Sequence, residues 1–171
     1  ESFSPGSTAL GIASSNGNTA LRDCVARHHT GAFIGTSSAF EIRRCVFYDI
    51  GGIFAGGGVL IADSSFTNFG PNARAISMLD KPSVIVNCSF TNITGGLCPT
   101  ISAYGNASVV DCTFIGNSAT EGKGILCLGG FFFGQSSLIN SLVIGNHTKS
   151  GGAVTGSPLL IYNTVLWGNR D

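Results

Sequence analysis

The sequence predicts an all-β solenoid of about seven coils, each holding three short strands, and three observations carry that prediction. The first is internal repetition. Seven segments share one pattern of aliphatic, any residue, Asp or Asn (once Arg), Cys/Ser/Thr, any residue, apolar: Leu21–Ala26, Ile42–Phe47, Ile61–Phe66, Ile85–Phe90, Val109–Phe114, Leu138–Val143 and Ile161–Leu166. Their fourth positions fall at residues 24, 45, 64, 88, 112, 141 and 164, which is 19 to 29 residues apart. The second observation is a small-then-apolar motif in phase with the first, at Ala32-Phe33, Gly52-Ile53, Ala75-Ile76, Thr100-Ile101, Gly124-Ile125 and Ala153-Val154. The third is composition: 25 Gly in 171 residues, about twice the usual share, with many Ser, Thr, Asn and β-branched residues and few helix formers.

In chain order, residues 1–9 form a lead-in, and Leu10-Gly-Ile12 is the first strand of the first coil. Within each coil the small-apolar motif marks the first strand. The second strand ends at the aliphatic position. A tight bend follows at Asp or Asn, residues that tolerate the left-handed backbone region. The third strand then turns its Cys/Ser/Thr and Phe positions inward at period two. Coils stacked at about 4.8 Å bring like residues into columns. Phe47, Phe66, Phe90 and Phe114 are therefore the expected spine of the core. The whole chain, 1–171, reads as one domain with seven coils over 10–169. An immunoglobulin-type sandwich has similar strand density but no reason to repeat one motif seven times.

These residues resemble the right-handed parallel β-helix proteins of the pectate-lyase-like superfamily. The nearest likeness is to repeats of the polymorphic outer-membrane-protein type, which combine Phe-x-x-Asn with Gly-Gly-Ala-Ile. The matches are Phe114-Ile-Gly-Asn117, Val143-Ile-Gly-Asn146 followed by Gly151-Gly-Ala-Val154, and Leu166-Trp-Gly-Asn169. The resemblance implies the right-handed fold and says little about activity.

Composition narrows the function. Nine basic and nine acidic residues cancel, so no basic field is present to hold nucleic acid or anionic lipid. No apolar run reaches the roughly 18 residues of a membrane span, which argues against membrane insertion. Glu1-Ser2-Phe3 is unlike a signal peptide, so a leader has been removed or lies outside the sequence. No catalytic set is expected. The acidic column Asp23, Asp63 and Asp111 puts carboxylates on alternate coils, roughly 9–10 Å apart, near the upper limit for an inverting pair. That column is also where the bend itself favours Asp or Asn. His28, His29 and His147 lie in turns without metal-ligand spacing, and Gly51-Gly52 and Gly56-Gly57-Gly58 lack the Lys-Ser/Thr of a phosphate loop. Neither a metal nor a cofactor is expected.

Six cysteines occur without a Cys-x-x-Cys pair. Cys24, Cys45, Cys88 and Cys112 share the inward fourth position. Two readings stay open: buried thiols acting as small core residues, or disulfides joining Cys24 to Cys45 and Cys88 to Cys112 across neighbouring coils. Cys98 and Cys127 sit five positions out of register, which disfavours their pairing. Four sequons, at Asn87, Asn92, Asn106 and Asn146, fall in predicted turns where N-linked glycans would project.

No capping helix is evident, and apolar residues sit at outward positions. Leu142, Ile144, Val165 and Trp167 form a strip, and Phe131, Phe132 and Phe133 lie in the longest inter-strand turn. With Leu10 and Ile12 of the first strand, these are the expected assembly surface. The reading is a non-enzymatic glycoprotein, secreted or at the cell surface, whose subunits self-associate head-to-tail into a fibre. The alternative is an adhesin or carbohydrate-binding β-helix module of a longer surface protein, with Tyr48 and Trp167 as stacking aromatics. A polysaccharide lyase or hydrolase using Asp63 and Asp111 comes third.

Overall fold

The computed structural model describes residues 12–14, 19–29, 34–36, 38–71, 74–79, 81–96, 99–121, 124–129 and 135–171, with side chains described for all but 12–14, 29 and 34–36. The strands stack into three parallel sheets of seven strands each, and a fourth sheet of three. The first face runs Ile12–Ser14, Ile34–Thr36, Gly52–Ala55, Arg74–Met78, Ile101–Ala103, Leu126–Leu128 and Val154–Thr155. The second runs Thr19–Arg22, Phe40–Arg43, Val59–Ala62, Ser83–Val86, Ala107–Val110, Ser136–Ile139 and Leu159–Tyr162. The third runs Val25–His29, Val46–Ile50, Ser65–Thr67, Ser89–Thr91, Thr113–Ile115, Leu142–Ile144 and Val165–Trp167. One strand from each of these faces makes a coil, numbered 1 to 7 below.

The predicted columns are present. On the third face Phe47, Phe66, Phe90 and Phe114 stack in register, with ring centroids 5.0, 4.8 and 4.8 Å apart. Offset stacks of this kind add about 0.5–1.5 kcal/mol per pair beyond burial. On the second face Ile42, Ile61, Ile85, Val109 and Leu138 are fully buried, each contributing about 1.5–3 kcal/mol of transfer free energy. Two members of the first-face motif shift by one residue. Ile34 pairs with Ile53, and Leu126 pairs with both Ile101 and Val154, so Ile34 and Leu126 hold the column positions expected for Phe33 and Ile125. In coil 6 the N–H groups of Ile125 and Leu126 both donate to the Ala153 carbonyl. That doubling absorbs one extra residue, as a bulge does.

The bend between second and third faces is built as the sequence predicts. Asp23, Arg44, Asp63, Asn87, Asp111, Asn140 and Asn163 all have φ between 47 and 56°. The next residue then explains why Cys, Ser and Thr interchange there. Its side chain donates back to the carbonyl two residues earlier, as Ser64 Oγ does to Ala62 (2.7 Å), Ser141 Oγ to Ile139 (2.8 Å) and Cys112 Sγ to Val110 (3.2 Å). Any small X–H donor closes the bend.

A second left-handed column lies at the far end of the third face, at His28, Asp49, Asn68, Asn92, Gly116, Gly145 and Gly168. It follows the first by five positions in every coil. From coil 2 onward the residue after it points inward, and its chemistry changes along the stack. Ile50, Phe69 and Ile93 are buried and apolar; Asn117 and Asn146 are buried and polar. Each Asn side chain reaches back one coil. Asn117 Oδ1 accepts from the Ile93 N–H at 2.9 Å while its Nδ2 donates to the Phe90 carbonyl at 3.1 Å. Asn146 repeats this on Asn117 and Phe114 at 2.9 and 3.0 Å, and Asn169 on Asn146 and Val143 at 3.1 and 2.8 Å. The amides also bond to one another, Asn117 to Asn146 and Asn146 to Asn169, both at 2.9 Å. This Asn ladder feeds the fourth face, Thr94–Gly95, Ser118–Ala119 and His147–Thr148. A backbone bridge from His147 to Arg170 extends it into the last coil. Coils 4 to 6 thus hold four strands, one more than the sequence predicts.

Candidate functional site

The acidic bend column was the one set of side chains in the sequence with catalytic potential. In the structure two of its three carboxylates, Asp23 and Asp63, are rungs of a surface ladder. Arg44 Nε and Nη2 donate to the two carboxylate oxygens of Asp23 at 2.6 and 2.8 Å. Asn87 Nδ2 donates to Asp63 Oδ1 at 2.7 Å, and Asn163 Nδ2 to Asn140 Oδ1 at 2.7 Å. The bidentate partner holds the Asp23 carboxyl below its ordinary range, whereas a general acid for glycoside hydrolysis needs the opposite shift. It also accounts for an arginine in a left-handed conformation that disfavours long side chains. A groove of about 440 Å³ runs beside this column, lined by Asp63, Asn87, Asp111, Ser65, Ser89 and Thr113 among others. A second groove of about 510 Å³ lies on the second face around Glu41, Arg22, Leu60 and Pro82. Arg43 and Arg22 hold the Glu41 carboxyl below its ordinary range as well. The His29 side chain lies outside the described residues, and the other two histidines, His28 and His147, stay apart. His28 Nδ1 lies 3.1 Å from Asp49 Oδ2, with its ring edge-on to Tyr48, and His147 sits on the fourth face.

Cys24, Cys45, Cys88 and Cys112 are free thiols, so the Cys24–Cys45 and Cys88–Cys112 disulfides are not formed. Each sulfur turns back toward the carbonyl two residues earlier instead, at 3.1 Å in Cys24 and 3.2 Å in the other three. The neighbouring Cys88 thiol and burial together push Cys112 well above the ordinary thiol range, and burial raises Cys45. Such thiols are poor nucleophiles. Cys127, on the first face, is disulfide-bonded, and the remaining cysteine, Cys98, lies outside the described residues.

The sequons divide. Asn87, Asn92 and Asn106 are exposed at corners. Asn146 is 1% exposed, and its amide is a rung of the internal ladder. The turn expected at Asn146 is present, but its side chain points into the core instead of outward, which corrects the expectation that a glycan projects there.

Of the expected assembly residues, Leu10 and Phe131–Phe133 lie outside the described residues, as does the Ile12 side chain. The strip on the third face is as predicted: Leu142, Val165 and Trp167 are exposed and Ile144 half-buried. Two outward columns run along this face. One reads Val25, Val46, Ser65, Ser89, Thr113, Leu142, Val165, and the other Arg27, Tyr48, Thr67, Thr91, Ile115, Ile144, Trp167. Both are hydroxyl-rich in the middle coils; the first is apolar at both ends. In the interior coils the inward columns are closed, with Phe114, Val143 and Leu138 each at 0% exposure.

Parallel strands in register, two left-handed corners per coil and columns of like residues define a parallel β-solenoid. The chain belongs to the right-handed β-helix family, whose model, the right handed beta helix region, matches residues 6–166. No curated protein and no solved structure matches the chain. The Phe-x-x-Asn motif read in the sequence has a structural meaning within this family fold, since the Asn is the ladder amide and the Gly before it the left-handed corner.

Proposed function

We propose that the chain is a non-enzymatic, extracellular structural glycoprotein, a β-helix subunit that assembles end to end into a surface fibre. The observation that carries this reading is the apolar strip at outward positions of the third face, where Leu142, Val165 and Trp167 are exposed and suit contact with another chain. A contact that repeats from one subunit to the next is heterologous and propagates. The placing of Asp63 at the left-handed bend, where its carboxylate accepts from Asn87, supports the non-enzymatic part. Negative-stain microscopy with sedimentation over a range of concentrations tests the reading. Filaments with an axial repeat near 34 Å, seven coils at about 4.8 Å, are expected; discrete monomers at every concentration overturn it.

The glycoprotein part has its own test. Expressed through a secretory pathway, the chain should carry N-glycans at some of Asn87, Asn92 and Asn106 and none at Asn146, as read by glycopeptide mapping. Occupancy at Asn146 would contradict its place in the ladder. Trp167, 70% exposed, favours carbohydrate binding as the second reading. Glycan binding by the native chain that is lost in Trp167→Ala would move the assignment there.

A further inference from the structure

We infer that N-glycans rooted at Asn87 and Asn92 lie across the hydroxyl-rich middle of the third face and leave its apolar strip bare for contact. The inference rests on the glycoprotein reading proposed above and adds the surface that the sugars cover.

Asn87 and Asn92 flank a single strand, Ser89–Thr91 of coil 4. Both are exposed and both hold left-handed corners, with φ of 51 and 53°, so they stand on opposite rims of the third face. At most about 16 Å of extended chain separates them. Between and beside them the outward residues are Ser65 and Thr67 of coil 3, Ser89 and Thr91 of coil 4, and Thr113 of coil 5, set in two in-register columns. Away from these residues the same columns turn aliphatic or aromatic, at Val46 and Tyr48 in coil 2, Ile115 in coil 5, and Leu142 and Ile144 in coil 6. The hydroxyls are thus centred on the coil that carries both of these acceptors. The groove of about 440 Å³ is lined by Asn87 together with Ser65, Ser89 and Thr113, a volume within the range of small-ligand sites. The first sugars from Asn87 find hydroxyl and carboxylate partners there, directly or through water.

Attachment leaves the bend intact. Transfer from a polyprenyl-diphosphate oligosaccharide forms the bond from Asn Nδ2 to the sugar C1, breaks the C1–O bond to the diphosphate, and releases one amide proton. The second hydrogen on Nδ2 remains, so Asn87 still donates to Asp63 Oδ1. Asn106, just ahead of Ala107–Val110, opens the second face instead.

The test uses the chain secreted in glycosylated form. Thr67→Cys places a thiol among these hydroxyls, and Trp167→Cys places one on the apolar strip. Each is labelled with a polymer-linked maleimide, and the labelled position is read by peptide mapping. Ser89→Ala with Thr94→Ala removes both sequons while keeping each Asn in its left-handed corner, with far-ultraviolet circular dichroism unchanged. The expected result is labelling of Thr67→Cys several-fold slower with the two sequons than without them, and labelling of Trp167→Cys at one rate in both. Equal rates at Thr67→Cys with Asn87 and Asn92 occupied overturn the inference and leave the glycoprotein reading standing; glycan at Asn106 alone does the same. Trp167→Cys slowed as much as Thr67→Cys also overturns it. No glycan at any of the three acceptors overturns both readings.

Discussion

One corner of the coil is held in two ways within the same molecule. In coils 2 to 4 the inward residue after the second left-handed corner is Ile50, Phe69 or Ile93; in coils 5 to 7 it is Asn117, Asn146 or Asn169. The corner itself changes with it, from Asp49, Asn68 and Asn92 to Gly116, Gly145 and Gly168. The apolar version works by filling volume, and tolerates a change of shape so long as the volume is kept. The Asn version works by saturation: both amide atoms answer the backbone N–H and carbonyl of the coil before, so a buried polar side chain carries no net desolvation penalty. The Ile93 N–H, bonded to Asn117 Oδ1, marks the boundary where one scheme hands over to the other. Asn is therefore not one signal in this fold. At the exposed bend it is chosen for its backbone, and at the inner corner for its side chain.

Swapping the two versions should have unequal effects. Asn117→Ile strips the Ile93 N–H and Phe90 carbonyl of their side-chain partner in a dry interior, and should cost about 3–5 kcal/mol in urea unfolding. The reverse swap, Ile93→Asn, lets the new amide reach back as Asn117 does, and should cost only about 1–2 kcal/mol. Equal costs would mean that saturation is not what holds the Asn corner. Gly116→Ala comes next. Its φ is +63° and a Cβ would lie 2.9 Å from Asn92 Oδ1, so a loss of about 1–2 kcal/mol is expected, against about 1 kcal/mol at Gly145, where the space is open. A larger loss at Gly145 would break that ordering.

Cys112→Ser, at the outer bend, should stay within about 1 kcal/mol, because Ser64 and Ser141 already close the same bend. A loss above 3 kcal/mol would show that sulfur volume matters more than donation. The smallest effect belongs to the exposed Asp23–Arg44 pair. The Asp23 carboxyl is depressed in the fold, so its contribution is present above the unfolded value near 3.9 and fades as pH falls through the folded one. Arg44→Asn should remove that acid sensitivity with little change in melting temperature at pH 7, since Asn suits the left-handed corner better. An undiminished acid dependence in the variant would place it elsewhere.

Most of the stack was legible because its columns repeat one residue type. Four phenylalanines in phase, and Asp or Asn ahead of Cys, Ser or Thr, can arise together only when coils superpose. The fourth face was missed although its residues were in view. Asn117, Asn146 and Asn169 were read as part of a motif, and nothing local distinguishes an amide that bonds inward from one that sits on a turn. The same ambiguity put Asn146 among the glycan acceptors. The one-residue shifts at Ile34 and Leu126 escaped because an apolar pair presents two equally good candidates, and only pairing with neighbouring coils selects one. The cysteines were half legible: spacing placed them in a common column, while the direction each sulfur takes depends on a hydrogen bond to its own backbone.

The constant interval between the two left-handed columns has a consequence for how such a molecule changes over generations. Coil lengths vary from 19 to 29 residues, yet the stretch from the first corner to the second never varies. All the difference in length between coils lies on the remaining arc. The third face therefore acts as a hinge-free binding edge, like the spine of a book to which pages of different width are sewn. New loops can be tried on the far side without re-registering a single rung, and a whole coil can be duplicated or deleted provided its cut falls outside that interval.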